Sequence, residues 1–574
     1  MFDRFKTIGG RATGIAGRGA GVAVLAAFLS FSILPALASV DQEEEARKPY
    51  GAYLAGLHAR ATMDIGAAAD YHQQALELDP DNLSLLARTF SLCIADGQYD
   101  CAGRVAARME KLDRIDSLVR LYRFLELAHA GKFKKGRDYL EQVGDAGVYA
   151  LFKPFFSAWM AAEEGKKDQA VAILEELLQK ESFRDFKKFH AGLLYEHLGN
   201  DTRAEELYVD SLGALGALTL RTVEAYGLLL ARQGRKDSAR ELFQNYLEKA
   251  PDNETLKARM EQLEKDKLPD HHIRGFRDGI AEIFYSAATF LMQDNIRTPA
   301  TLYLRYGEYM RRDFPEADFL LSQIFEIDEY YEGALESLQN IKKDDILYYQ
   351  ASLQQAWIYE KTGDLEKAVS MLRDLAKAFP ERHTIFGVLG DIYRINNMFA
   401  EAAEAYDRLV ESIPEPEEKH WTVFYTRGIV LEREKRWKEA EKDFLKALEL
   451  RPEQPQVLNY LAYSWVDRGM NVQKARVMLE KAAELRPHDG YIIDSLGWAL
   501  FKMGEHSRAV EVLEKAVMLQ ADDWAINDHL GDAYWAVGRR NEARFQWRHA
   551  LSLKPEDDKI PEIKNKIRHG TSSK

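Results

Sequence analysis

Glycine recurs at Gly97, Gly131, Gly165 and Gly199, a step of 34 residues taken three times in succession. Each lies between two amphipathic stretches, at a break where the chain has to turn through positive φ, which a residue without a Cβ adopts most readily. The punctuation returns at Gly363 and, 34 residues later, at Asn397, the next most tolerant residue of the left-handed region. A fixed period of this length with two helical stretches per unit points to a solenoid of helical hairpins, each burying its apolar faces against its neighbours. The 574 residues then need not divide into several globular domains, because a solenoid grows along one axis.

The frame is clearest at residues 524–557, WAINDHLGDAYWAVGRRNEARFQWRHALSLKPED. Small residues at Gly531, Ala543 and Ala550 let two helices approach closely, while Tyr534 and Trp547 fill the space between them. Gly538 turns the chain and Pro555 stops the second helix, since it has no N–H to donate. With Leu530 before Gly531, this stretch resembles a tetratricopeptide repeat. The frame holds at 490–523 (Gly497, Gly504, Ala509, Leu513), at 455–489 with one inserted residue (Ala462, Gly469, Ala475, Pro487) and at 421–454 (Gly428, Ala440, Phe444, Pro452). Earlier units begin near 383, 349, 315 and 281, and the glycine ladder places others at 83, 117, 151 and 185 between units at 49 and 220. The fold expected is all-α, a right-handed solenoid of about fourteen hairpins in two sub-arrays, 49–253 and 281–557. The units at 117 and 281 are the weakest matches and fit other helical hairpins equally well.

Residues 254–280 begin as a charged helix and run into Leu268-Pro269-Asp-His-His, which reads as a linker helix and loop between the sub-arrays. Pro414 to His420 inserts about four residues between units. At the far end Ile560, Ile563 and Ile567 share one helical face, so 558–570 reads as a capping helix over the last exposed edge.

Residues 1–38 read as a signal peptide. Arg4, Lys6, Arg11 and Arg18 precede an apolar run from Gly21 to Leu34, and Ala36-Leu37-Ala38 offers a cleavage site before Ser39. The alternative is an uncleaved leader that anchors the chain in an inner membrane. No cysteine follows the run, so it is not a lipoprotein signal. Cleavage moves the formal charge from −14 to −17. An acidic chain without a basic stripe argues against nucleic acid and against a polybasic membrane contact. Cys93 and Cys101 fall at the two helix ends that meet across one turn, so either they form a disulfide in an oxidising compartment or they are two small buried hydrophobes.

Repeats, leader, linker and cap use nearly the whole chain, and no nucleophile elbow, phosphate loop or zinc-protease motif is present. The expectation is a non-enzyme with no cofactor and no metal. His271-His272, the one histidine pair, reads as a solvated loop. The tetratricopeptide resemblance implies that the first helix of each hairpin lines a concave groove with its second, fifth, ninth and twelfth residues. In the last four units these include Tyr425, Asn459, Tyr463, Tyr491, Asp494, Trp498, Phe501, Asp528, Asp532 and Trp535. Aromatic faces give contact area at small entropic cost, Asn pairs with an extended backbone, and carboxylates favour a basic stretch. Alanine at Asn459, Asp494 and Trp498 together is then expected to remove partner capture and leave melting unchanged. Asp494 and Asp528 stand where a clamp for C-terminal carboxylates would need a cation or an amide, which excludes that ligand class.

LNYLAYSWVDRG at 458–469, followed by DGYIIDSLGWALFKMGEHSRAVEVLEKA at 489–516, is similar to exported proteobacterial tetratricopeptide proteins. Some of these are envelope adaptors that deliver cell-wall-cleaving enzymes to a carboxyl-terminal processing protease. The resemblance implies a periplasmic scaffold whose partners are proteins or peptides, that protease and its clients among them. The lipid-acceptor cysteine of that group is missing here. The alternative is a structural assembly factor of a cell-envelope or polysaccharide-export complex.

Overall fold

A computed structural model describes residues 50–144, 148–180, 182–212 and 217–571, and the leader lies outside them. Among the described residues there are thirty α-helices, one 3-10 turn at Glu418–His420 and no strand, and none of the helices is long and apolar enough to cross a membrane. The expected turns form at the expected places. Gly97, Gly131, Gly165 and Gly199 have φ between 72° and 82°, and Asn397 has 59°. At Gly131 the turn closes with Lys132 N–H donating back to Leu127 C=O at 2.8 Å, which satisfies a carbonyl the helix end leaves open. Between paired helices the small residues are equally literal, for a Cβ on Gly531 would meet Trp547 at 2.5 Å. Cys93 and Cys101 are joined as a disulfide across their turn, 5.9 Å apart at Cα.

The chain forms two compact units that divide between Ala368 and Val369, whereas the sequence suggested a division at 254–280. The reason lies in the first unit. Its inner helices Leu83–Ala95, Ser117–His129, Tyr149–Glu163, Arg184–His197 and Ala217–Arg232 do not face an open groove. They pack on the hairpin Phe276–Gln293 and Arg297–Met310, which the linker carries back into the concave side. The unit expected to open the second sub-array at 281 is therefore the filling of the first. Its first helix has 18 residues, longer than the repeat helices around it.

Aromatic rings make the seat. Phe284 is fully buried against Phe152 and Phe156, with ring centroids 5.6 and 5.5 Å away, and Tyr306 lies 6.5 Å from Tyr122. Two arginines of the hairpin close inner-helix ends: Arg305 Nε donates to Ala95 C=O at 3.1 Å and Arg277 Nη2 to His129 C=O at 2.7 Å. Cations are favoured there, where unpaired carbonyls and the helix dipole present negative charge. Tyr99 Oη adds a bond to Arg305 C=O at 2.7 Å.

The linker is anchored as well. Arg221 gives Nε and Nη2 to the two oxygens of Glu282 at 2.9 and 2.7 Å, and Nη1 to Glu224 and Glu316 at 3.0 and 2.9 Å. Arg259 closes the set on Glu224 at 3.0 Å. The His272 side chain is enclosed 3.7 Å from Glu282, so the solvated loop expected for the histidine pair holds only for His271, which is exposed. Burial alone would raise the Glu282 carboxyl, but Arg221 outweighs it and holds it well below the usual range; Glu316 is held at about 2, with burial opposed by Arg221 and Arg311. Carboxyls depressed in the folded state stabilise fully above their ordinary value of 4.5 and lose that contribution as pH falls towards 2. Urea midpoints of the first unit are expected to fall steeply between pH 4.5 and 3, and Glu316→Gln should flatten that slope.

Candidate partner-binding face

In the second unit the inner helices are Thr384–Ile395, Trp421–Arg433, Pro455–Asp467, Gly490–Lys502 and Trp524–Ala536. They carry all ten residues expected in the groove, but burial separates them. Asn459 and Asp494 are enclosed, at 1% and 0% exposure, and Tyr425, Tyr463, Asp528 and Asp532 are also buried. Gly490–Lys502 packs on both Pro455–Asp467 and Trp524–Ala536, which encloses side chains between these inner helices. Tyr425 is enclosed by its own hairpin and the next, with the Phe444 and Tyr460 rings both 6.2 Å from its own. Asn459 Oδ1 is enclosed without a partner, so it does not stand ready to meet a peptide backbone.

The carboxylates are engaged. Asp494 accepts from His529 Nδ1 at 2.9 and 3.1 Å, a pairing that requires the proton on Nδ1. Asp528 and Asp532 accept from Lys566 of the C-terminal helix Ile560–His569 at 2.7 and 2.9 Å. Asp532 Oδ1 also accepts from Trp547 Nε1 at 3.0 Å. Burial and then the neighbouring Asp528 push the Asp532 carboxyl up to about 6. The expected acidic wall for a basic peptide is thus satisfied from within the chain. Alanine at Asn459 and Asp494 would remove buried groups and lower stability, contrary to the expectation of unchanged melting.

Tyr491, Trp498, Phe501 and Trp535 remain partly exposed. Trp498 stacks on Phe501 (centroids 5.0 Å, 12° between planes) and on His529 of the next hairpin (4.1 Å, 16°). Lys502 places its ammonium 4.8 Å from the Trp498 centroid, a cation–π contact at the rim. Trp535 lies under Arg540 and Arg544, 5.2 and 5.3 Å from its centroid, and Gly570 leaves no room for a Cβ above its ring. His529, Lys502 and Lys566 were not among the expected residues. The i,i+4 offset from Trp498 to Lys502 was a readable signal; His529 and Lys566 had none, because their partners lie on other helices.

Family models of the tetratricopeptide repeat match residues 225–253, 353–415, 421–454 and 493–523. A TPR repeat-containing protein of Pseudomonas aeruginosa is 27% identical over 159 residues, 28% of this chain and 26% of that protein. An uncharacterized protein of Aquifex aeolicus is 35% identical over 85 residues, 15% of this chain and 47% of that protein. The chain thus spans about a quarter and about half the length of these two relatives. Among solved structures, a tetratricopeptide repeat protein from Parabacteroides merdae is 21% identical with a TM-score of 0.37, over 44% of this chain and 97% of that one. A chain of the APC/C hetero-tetramer Cut9-Hcn1 is 14% identical with a TM-score of 0.33, over 91% of each.

Proposed function

We propose that this chain, a tetratricopeptide-type solenoid, is a non-enzymatic scaffold that captures protein partners on the inner face of its second unit. One observation carries this reading. The concave side of the first unit is filled by 276–310, whereas the Phe501, Trp498 and Lys502 face of the second stays accessible. Stacked aromatics beside a cation form a rigid anchor of the kind that dominates interface energetics.

The finer proposal is an exported adaptor. The chain would act in the periplasm after cleavage before Ser39, or remain tethered to the inner membrane if the leader is kept. It would hold clients near a carboxyl-terminal processing protease and so raise their effective concentration. The sequence similarity at 458–516 supports this. A second reading, a structural assembly factor in an envelope or polysaccharide-export complex, is favoured by the filled first unit, which leaves only outer surfaces there for a permanent contact.

Affinity purification from envelope extract tests both. Trp498→Leu with Lys502→Glu is expected to reduce partner recovery at least tenfold, since loss of an interface anchor costs about 2 kcal/mol or more. Retention of every partner by this variant would reject the inner-face reading. Recovery of a protease or cell-wall hydrolases in the wild type supports the adaptor; a fixed stoichiometric set that survives the double change supports the assembly factor.

A further inference from the structure

The inner face of the last hairpin already holds a lysine. Lys566 places its ammonium between Asp528 Oδ2 and Asp532 Oδ2, at 2.7 and 2.9 Å, and all three residues are buried. Asp528 Oδ1 is enclosed without a partner, so two carboxylates face one ammonium with an acceptor unused. The nearest further carboxylate on the helix, Glu562, is exposed and 3.6 Å from the ammonium.

The helix that delivers Lys566 is held along one face only, where Ile563 and the half-buried Ile567 pack on the core of the last hairpin. Of its ten residues only Ile563 and Lys566 are buried, and Arg544 Nε donates to Ile567 C=O at 3.2 Å. Glu556 to Lys559, which join it to the array, are exposed. A helix this short has little stability of its own in water. The pocket is the opposite case, because removing the ammonium leaves two buried carboxylates without a cation, which is strongly unfavourable. Such a site exchanges one lysine for another rather than standing empty.

We propose that Asp528 and Asp532, with Trp535 beside them, form a lysine-binding subsite and that the Ile560–His569 helix is its exchangeable resident. A partner enters by presenting an amphipathic helix with an aliphatic residue three positions before a lysine, the Ile563–Lys566 arrangement. This deepens the scaffold reading and rests on the inner face being the docking surface. The resident is tethered, so its effective concentration is on the order of millimolar, and a partner displaces it only by binding more tightly or by being held nearby.

The test uses the full-length chain and, as probe, a fluorescently labelled peptide of residues 556–570. Lys566→Met keeps the length of the stem and removes the ammonium. It is expected to raise the affinity of the chain for the peptide at least tenfold over wild type. A peptide carrying Lys566→Met should bind neither chain, and Asp528→Asn with Asp532→Asn should abolish binding. Equal affinity of the Lys566→Met and wild-type chains for the peptide would overturn the proposal. Hydrogen exchange on the unaltered protein gives an independent reading. Amides of 560–569 should exchange at least a hundredfold faster than those of 540–552, and equal protection would make the helix a permanent part of the fold. No cellular partner enters either measurement, so their outcome is separable from that of the purification experiment.

Discussion

Gly279→Leu is expected to unfold the interior of the first unit. Gly279 sits in the first turn of Phe276–Gln293, where a Cβ would lie 2.2 Å from Cε2 of Trp159 and 2.4 Å from Cζ2. The indole is itself 1% exposed and belongs to the inner helix Tyr149–Glu163, so it has nowhere to move. Glycine within a helix costs about 1 kcal/mol relative to alanine, so propensity alone would make a larger residue stabilising. The clash reverses the sign. Overpacking of a closed core costs 1–3 kcal/mol and more when a whole side chain must be housed, and about 3 kcal/mol or more is expected here. The hairpin would leave its seat, and amides of 276–310 would lose exchange protection while those of 490–552 keep theirs. Gly275→Ala, in extended backbone with open space around it, is the control and should change stability by less than about 1 kcal/mol. Unchanged protection of 276–310 in Gly279→Leu would show that the concave side of the first unit is not closed by this helix.

Arg221→Met should have the second large effect. The guanidinium is buried and balances Glu282, Glu224 and Glu316; Arg259 also pairs with Glu224, while Arg311 stands 4.0 Å from Glu316 and His272 3.7 Å from Glu282. Breaking a buried ion pair from one side costs about 3–5 kcal/mol, because the surviving charges keep their desolvation penalty. Replacing both members of the bidentate pair, Arg221→Met with Glu282→Gln, should recover a large part of the loss. A double-mutant cycle read in the urea midpoint of the first unit measures that coupling, and additive single effects would contradict the network. The same variant should blunt the acid sensitivity expected between pH 4.5 and 3, since Glu282 would no longer be held ionised by Arg221.

The two predictions rest on features of very different legibility. The turns at Gly97, Gly131 and Asn397 could be read in advance because positive φ is a local demand. Gly531 and Trp547 could be read as a close helix pair because both lie within one period. The destination of 276–310 could not. Ile280, Ile283 and Phe284 show the same helical spacing whether the partner is the next hairpin or the interior of an earlier array. The poor match of the unit at 281 was the available hint. For the candidate face, position within the repeat correctly indicated which residues lie on the inner helices. It did not indicate that Asp494, Asp528 and Asp532 already accept hydrogen bonds from His529 and Lys566.

By itself, the sequence determined the all-helical hairpin array, its period and its turns, because each follows from contacts within about 34 residues. Only the tertiary structure decided which concave side is filled and which carboxylates are already bound. Those outcomes depend on pairs such as Arg221 with Glu282 and Arg305 with Ala95, separated by tens to hundreds of residues. Their complementarity exists only once both surfaces are built and water has been excluded between them.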